Sequence, residues 1–210
     1  MIKFDSVCSS AAEGITGIYW LHQIEAGYKV PDVLPFFFHF PPITFPHFDD
    51  VVTSLKEHTI QLIYSLPFNV TKDTRLAIFQ YKIIHHILPT NSTLFRDSLK
   101  EHDKCHLCGE RQTLTHLFVT CSEAQHFWSL FTNWWSSKNG DRITLDKNEK
   151  IYGVTDNFAR RLGLNLCIII AKYYLYTTSR KEEFYFDAFL AMLTNKIKIE
   201  KHKSKSQINL

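Results

Sequence analysis

The sequence predicts a mainly α-helical fold, built as a bundle-like assembly of helices. Apolar residues recur at intervals of three and four in several segments, and we find no run with the strict apolar and polar alternation of a strand. With 210 residues, of which 45% are hydrophobic, the chain is long enough to bury a sizeable core. A small Cys and His loop between the helices completes the predicted architecture.

Changes in composition divide the chain into four regions. The regions are an irregular segment at 1–50, a helical region that contains the Cys and His loop at 51–139, a C-terminal helical region at 140–200 and a basic tail at 201–210. The first segment is expected to be irregular because five of the seven prolines fall between Pro31 and Pro46, among many phenylalanines. A loop signal, Lys138-Asn139-Gly140-Asp141, separates the two helical regions.

The clearest helical pattern covers residues 72–88. Thr71 is its expected N-cap and Pro89 its expected stop. Asn91 or Ser92 then opens a shorter helix, which leads the chain to the Cys and His loop.

An aromatic face is predicted on the next helix, which covers residues 123–136. Its members are Phe127, Trp128, Phe131, Trp134 and Trp135. A face of this kind is usually part of a core, and we prefer that interpretation to a platform on which nucleic-acid bases stack.

Three helices are predicted in the C-terminal region. Asp146 with Glu149 indicates a capping box that starts a short helix, which Gly153 ends. A long helix is predicted at 158–179, and it should be buried because its middle, from Leu162 to Tyr176, is apolar nearly all round. A last amphipathic helix is predicted from residue 182 to about residue 199.

The loop between the helices contains the strongest functional signal. Cys105, Cys108, His116 and Cys121 form a Cys-x2-Cys-x7-His-x4-Cys array, whose thiolates and imidazole can close on one tetrahedral zinc ion. Four protein ligands leave no position for water or substrate, which indicates a structural zinc. Gly109 provides the permissive backbone that the turn after the first cysteine pair needs.

The second half of the array requires a break in the helix. Five residues at 3.6 per turn rotate about 140° past alignment, so His116 and Cys121 cannot share one straight helix face. Ser122 with Gln125 indicates a capping box. Cys121 is therefore expected immediately before a new helix.

Other assignments of the ligands stay open. His102 or His106 could replace His116 as the fourth ligand. The alternative to a metal site is a set of unconnected thiols with a surface histidine. Cys167 lies in an apolar helical run and is expected to be a core thiol.

The composition limits the location and the partners. The net charge of +3 and the pI of about 8.5 are basic, but the pI is below the value of about 9 that is typical of strong nucleic-acid binders. We find no signal-peptide pattern, and the longest apolar run, Leu166 to Ala171, is far shorter than the roughly 18 residues of a membrane helix. We therefore expect an intracellular protein, in the nucleus, the cytoplasm or both, without a membrane partner.

Three segments carry a resemblance to a known family. They are FQYKIIHHILPTN from Phe79, CHLCGERQTLTHLFVTC from Cys105, and Phe127-Trp128. In order and spacing they resemble the C-terminal zinc-binding region of LINE-type, non-LTR retrotransposon reverse transcriptases, over nearly two-thirds of the chain. The family's ligand motif falls on the four residues of the array, which implies zinc as the cofactor.

The resemblance implies a non-catalytic part of a larger protein. In that family the polymerase carboxylates lie upstream of the zinc-binding region, and Asp49-Asp50 does not fit the family's active-site pattern. We therefore expect no enzymatic activity. The implied role is to bind RNA or DNA for target-primed reverse transcription by upstream domains, which are the expected protein partners.

Cations near the zinc loop and along the last two helices are candidates for phosphate contacts. The candidate nucleic-acid-binding residues are Lys104, His106, Arg111, Arg160, Arg161, Arg180, Lys181, Lys196 and Lys198. The alternative for each of them is an ordinary solvated surface. The competing function is a zinc-stapled helical module for protein interaction, either domesticated or a decayed remnant of an element.

Overall fold

The computed structural model describes residues 57–179 and 184–206. The chain divides into two units, Met1–Ile60 and Gln61–Leu210, and the fold below is that of the second unit. The helices are α1 (Glu57–Val70), α2 (Thr74–Ile84), α3 (Asn91–Arg96), α4 (Ser122–Asn139), α5 (Lys147–Tyr152), α6 (Leu162–Thr178) and α7 (Phe186–Ser206). The described residues form no β-strand, so the prediction of a mainly helical fold is confirmed. The predicted irregular segment at 1–50 lies outside the described residues.

The start of α2 differs from the prediction. Its N-cap is Asp73, whose carboxylate accepts a hydrogen bond from the backbone N–H of Arg75 (3.1 Å). Thr71, the expected cap, instead accepts a hydrogen bond from the N–H of Asp73 (3.0 Å) and donates its hydroxyl to Glu200. The prediction was wrong because α2 begins only at Thr74. Thr71, Lys72 and Asp73 lie before it, where Glu200 of α7 accepts hydrogen bonds from all three residues.

The end of α2 also comes earlier than predicted. The helix ends at Ile84, because His86 adopts a left-handed conformation with φ of 53° and turns the chain. The turn places Leu88 in the core, where it is 3% exposed. Thr90 then caps α3 in a capping box with Thr93, so α3 opens at one of the two predicted residues.

Helix α4 contributes an aromatic face to the core, as predicted. Phe127, Trp128 and Phe131 are each at most 2% exposed. Phe127 stacks on Tyr174 of α6, with ring centroids 5.9 Å apart, and meets Phe189 of α7 edge-on at 5.1 Å. The buried part of this face is therefore not accessible to nucleic-acid bases.

Helices α6 and α7 pack against each other in an antiparallel arrangement. Tyr174, late in α6, packs on Phe189, early in α7, whereas Leu166, early in α6, shares a groove with Ile197, late in α7. The start of α6 and the end of α7 therefore lie at the same end of the bundle. No described helix, α6 included, has both the length and the apolarity needed to cross a membrane.

Helix α5 begins and ends as predicted. The Asp146 carboxylate accepts from the backbone N–H of Glu149 (2.8 Å), and the Glu149 carboxylate accepts from the N–H of Asp146 (2.8 Å). Gly153, with φ of 97°, ends the helix. The Asn165 amide on α6 then donates to and accepts from the backbone of Val154, which fixes this turn against the core.

Candidate metal centre

The first two cysteines lie on a tight hairpin. Cys105 N–H donates to Glu110 O (2.6 Å), and an antiparallel bridge joins Lys104 to Arg111. Gly109 has φ of 77° and donates its N–H to Cys105 O (3.0 Å), so it occupies the left-handed position for which the sequence indicated a glycine. The hairpin turns the Cys105 and Cys108 side chains toward one point.

A π-helical turn positions the other two ligands. Residues His116–Thr120 form this turn, and the N–H of Cys121 donates to His116 O (2.9 Å), five residues back. Cys121 is extended, with φ of −59° and ψ of 134°, and α4 begins at the next residue. The predicted break is therefore confirmed, because a π turn and an extended Cys121 replace a regular α-helix between the two ligands.

The predicted capping box at the start of α4 is wrong. No side-chain cap forms there between Ser122 and Gln125; the Gln125 amide instead donates to Thr120 O (3.0 Å). The break at Cys121 interrupts the helical hydrogen bonding of the π turn at its end, and Gln125 satisfies the Thr120 carbonyl there.

The core holds the π turn in place. Trp128 donates its indole N–H to Phe118 O (2.7 Å), and both residues are at most 2% exposed. The Phe118 ring also meets Phe79 of α2 edge-on, with centroids 6.3 Å apart. The position of His116 and Cys121 is thus set by the aromatic core of the bundle.

The four ligand atoms are spaced for one metal ion. The ligand atoms of Cys105, Cys108, His116 and Cys121 all lie within 4.8 Å of one another. Cys108 Sγ is 3.8 Å from Cys121 Sγ and 3.2 Å from His116 Nε2. A tetrahedral zinc ion with bonds of about 2.3 Å to sulfur and about 2.0 Å to nitrogen requires ligand atoms about 3.5 to 3.8 Å apart. The donor set fits zinc, and of these two distances the sulfur–sulfur distance lies in this range and the sulfur–nitrogen distance is shorter than it.

Burial changes the ionisation of two ligands. It raises the pKa of the Cys121 thiol to about 12, a shift that the backbone N–H groups of Ala124 and Glu123 oppose. Burial also lowers the pKa of His116, and this effect exceeds that of the negative charge of Glu110, which raises the same pKa. The imidazole is therefore neutral and able to coordinate at pH 7, and metal binding by Cys121 releases a proton.

Gln112 supports the centre, although the sequence did not single it out. Its side chain is 3% exposed, and Nε2 lies 3.9 Å from Cys105 Sγ while Oε1 accepts from the N–H of Asn91 (3.1 Å). Asn91 in turn donates its amide to Lys104 O (2.7 Å). These contacts fasten the start of α3 to the hairpin and orient a ligand sulfur. An isolated glutamine between two ligand pairs gives no sequence signal for this role.

The alternative ligands do not join the cluster. His102 and His106 are exposed, and their rings pack on each other with centroids 6.0 Å apart. Cys167 is a core thiol, as predicted; it is 5% exposed, and burial raises its pKa to about 12. The cluster is therefore formed by the four residues of the array.

The candidate cations near the hairpin are balanced by acids. Lys104 and His106 are exposed, but Arg111 Nε lies 3.0 Å from Asp103 Oδ2 and also donates to Ser92 Oγ (3.0 Å). Between residues 96 and 111 the sequence has four lysine or arginine residues and four aspartate or glutamate residues. The surface around the centre is therefore close to electrically neutral.

The other candidate cations are divided between two helix ends. Lys198 and Arg160 are exposed, whereas Arg161 Nη1 lies 3.9 Å from an Asp141 carboxylate oxygen. Lys196 forms an ion pair with Asp73 (2.6 Å) and lies over the Tyr173 ring at 5.4 Å, so it fastens α7 to α2. The remaining two candidates, Arg180 and Lys181, lie outside the described residues.

Residues 53–128 match the family model described as zinc-binding in reverse transcriptase. The matched segment is just over a third of the chain and contains all four residues of the array. A comparison with curated proteins and a comparison with solved structures each gave no match. Together, the match and the ligand cluster identify zinc as the cofactor, and residues 53–128 are similar to the zinc-binding region of reverse transcriptases.

Proposed function

We propose that this chain is a zinc-stabilised, non-catalytic part of a LINE-type reverse transcriptase that binds RNA or DNA beside the polymerase domains. The zinc ion closes the hairpin and the π turn into one unit and supplies no reaction chemistry, since four protein ligands fill its coordination sphere. The match at residues 53–128 supports the reverse-transcriptase assignment. The proposed location is the nucleus, the cytoplasm or both, where a template is present.

The observation that carries the nucleic-acid proposal is the uneven charge of α7. One carboxylate, Asp187, lies in the first turn of the helix, whereas its second half, from Lys196 to Ser206, has five lysines and a single carboxylate, Glu200. Glu200 is 9% exposed, and its oxygens accept hydrogen bonds from Thr71 Oγ1, from Lys72 N (2.8 Å) and from Asp73 N (3.1 Å). The Glu200 carboxylate is therefore used inside the fold, whereas Lys198 and Lys201 in the same half of the helix are exposed.

This arrangement favours contacts with phosphates that are independent of base sequence. Lys198 and Lys201 are both exposed and lie three residues apart on α7, so they lie on neighbouring positions of the helix surface. The neutral surface at the metal centre contributes little to such binding. The zinc loop is then a scaffold, and the end of the bundle is the contact surface.

The test is the affinity of the zinc-loaded full chain for a structured RNA, measured by fluorescence anisotropy across a salt series. Multiple phosphate contacts predict a linear fall of log affinity with log salt concentration. The double variant Lys198→Gln with Lys201→Gln should reduce the slope by about 1.4 to 1.8, which corresponds to two contacts. The matched control replaces Lys138 and Lys147, which are exposed on other helices, and should leave the slope unchanged. Undetectable binding at low salt would overturn the proposal.

A second candidate function is protein interaction, and two apolar side chains near the metal centre favour it. Phe95 is 48% exposed and Leu99 is 72% exposed, at the end of α3. This function predicts association that persists at high salt and weakens in a Leu99→Glu variant. Sedimentation velocity at low and high salt measures both effects, and a salt-independent monomer would exclude self-association through this surface.

A further inference from the structure

A groove lies at the end of the bundle where the lysine-rich second half of α7 is located. It lies between the chain that joins α1 to α2 and the helices α6 and α7, and its volume is about 490 Å³. Val70, Leu166 and Ile197 contribute partly buried apolar surface to it. Lys72 and Lys201, which are exposed, line the same groove. An apolar surface beside ammonium groups suits a flat base attached to a phosphate.

The two lysines outnumber the one carboxylate that lines this groove, Glu200, so the groove has a net positive charge. The oxygens of Glu200 accept hydrogen bonds from the Thr71 hydroxyl and from two backbone N–H groups, so this carboxylate is directed into the fold. Asn69, which is exposed in the same groove, provides an amide that can donate to and accept from the edge of a base. The groove thus combines an apolar surface, an amide and cations.

We propose that this groove binds one unpaired nucleotide of a single-stranded nucleic acid. The base lies on Val70, Leu166 and Ile197, and Lys201 contacts the adjacent phosphate. Lys198, three residues before Lys201 on α7, contacts the strand as it leaves the groove. A paired base inside a duplex is stacked on both sides and cannot enter, so the groove selects unpaired segments. This inference rests on the proposed nucleic-acid binding and specifies where and in what form the nucleic acid is bound.

The experiment compares single-stranded and duplex RNA of equal length, at one salt concentration, with the zinc-loaded full chain. The variants Leu166→Gln and Ile197→Gln keep side-chain size and make the groove polar. Each should weaken single-stranded binding about tenfold, which corresponds to about 1.4 kcal/mol, and should change duplex binding less than twofold. Ile199→Gln is the matched control, because Ile199 is 44% exposed on the same helix and does not line the groove.

Cross-linking of RNA to the unaltered chain tests the same proposal without a variant, so the test does not depend on whether a variant folds. Single-stranded RNA that contains 4-thiouridine should cross-link to residues 69–72, 166 or 197–201. Cross-links confined to other segments, or variants that bind single strands as tightly as the unaltered chain, would overturn the groove proposal and leave the proposed function in place. No binding of either RNA at low salt would overturn the proposed function itself.

Discussion

Lys172 of α6 is entirely buried, and we predict that its burial makes the stability of the fold depend on pH. Its side chain is 0% exposed, and its amine donates to Gln80 Oε1 (2.5 Å) and to Ile151 O (2.6 Å). Both acceptors are uncharged. Burial lowers the pKa of Lys172 well below its ordinary value of 10.5, because the ammonium form loses its hydration.

The sign of the pH dependence follows from proton binding. Below pH 10.5 the unfolded chain binds a proton at Lys172, whereas the folded chain releases it once the pH exceeds the lowered pKa. In that interval the unfolded state binds more protons, so the free energy of unfolding rises with pH by at most about 1.4 kcal/mol per pH unit. The contribution of Lys172 to the free energy of unfolding is therefore greatest above pH 10.5. It decreases as the pH falls from 10.5 toward the lowered pKa of the folded chain.

The informative perturbation is Lys172→Met, which removes the amine and nearly keeps the side-chain length. Ile151 O keeps a donor, because the Gln80 amide also donates to it (3.1 Å). Only Gln80 Oε1 loses its partner, which should lower the free energy of unfolding by about 1 to 3 kcal/mol. Removal of a buried ionisable group should raise the free energy of unfolding by about 1 to 4 kcal/mol. We expect the variant to be about 1 kcal/mol more stable than the unaltered chain at pH 7 and less stable at pH 10.

The assay is urea unfolding of the zinc-loaded chain at one-unit steps from pH 7 to pH 10. The difference in unfolding free energy between Lys172→Met and the unaltered chain isolates this one group, because other titrations are common to both proteins. Lys147→Met, at an exposed position, serves as the control and should give a difference that does not change with pH. A difference for Lys172→Met that stays constant from pH 7 to pH 10 would refute the reasoning.

Three further substitutions test the packing around the bundle. Gly153→Ala places a Cβ atom 2.4 Å from Leu66 Cδ1 at a φ of 97°, and should lower the unfolding free energy by about 2 to 4 kcal/mol in urea titrations. Gly140→Ala, with φ of 73° and no atom within 4 Å of the new Cβ, should cost only about 1 kcal/mol; equal losses would contradict the steric argument. Trp128→Phe removes the hydrogen bond to Phe118 O and should destabilise the chain by about 1 to 3 kcal/mol in thermal unfolding, and an unchanged midpoint would show that the π turn does not depend on it.

The sequence predicted which segments are helices better than it predicted where they end. Helical spacing of apolar residues is a local signal, so α2, α4 and α6 could all be predicted from it. Helix ends depend on partners that are distant in sequence. Thr71 does not cap α2 because Glu200 of α7 binds residues 71–73 before the helix begins at Thr74, and α2 ends at Ile84 because His86 turns the chain.

The candidate site shows the same division between local and distant information. The four ligands could be predicted because metal coordination restricts residue types and spacing within a short segment. Gln112 could not be predicted, since its role depends on the start of α3 lying against the hairpin. The ion pair between Lys196 and Asp73 could not be predicted either, because the two residues are 123 positions apart in the sequence. This ion pair gives a structural role to Lys196, which the sequence analysis predicted to contact nucleic acid.

The central claim is that one zinc ion, held by the four residues of the array, stabilises this region. The direct measurement is the zinc content and thermal unfolding of the full chain after extensive dialysis, compared with Cys121→Ser and with the core control Cys167→Ala. We predict one zinc per chain in the unaltered protein and in the control. Cys121→Ser should lose the metal and unfold around residues 100–125, because site free energies of about 10 to 16 kcal/mol exceed what so short a segment supplies otherwise. Stoichiometric zinc and an unchanged unfolding midpoint in Cys121→Ser would contradict the claim.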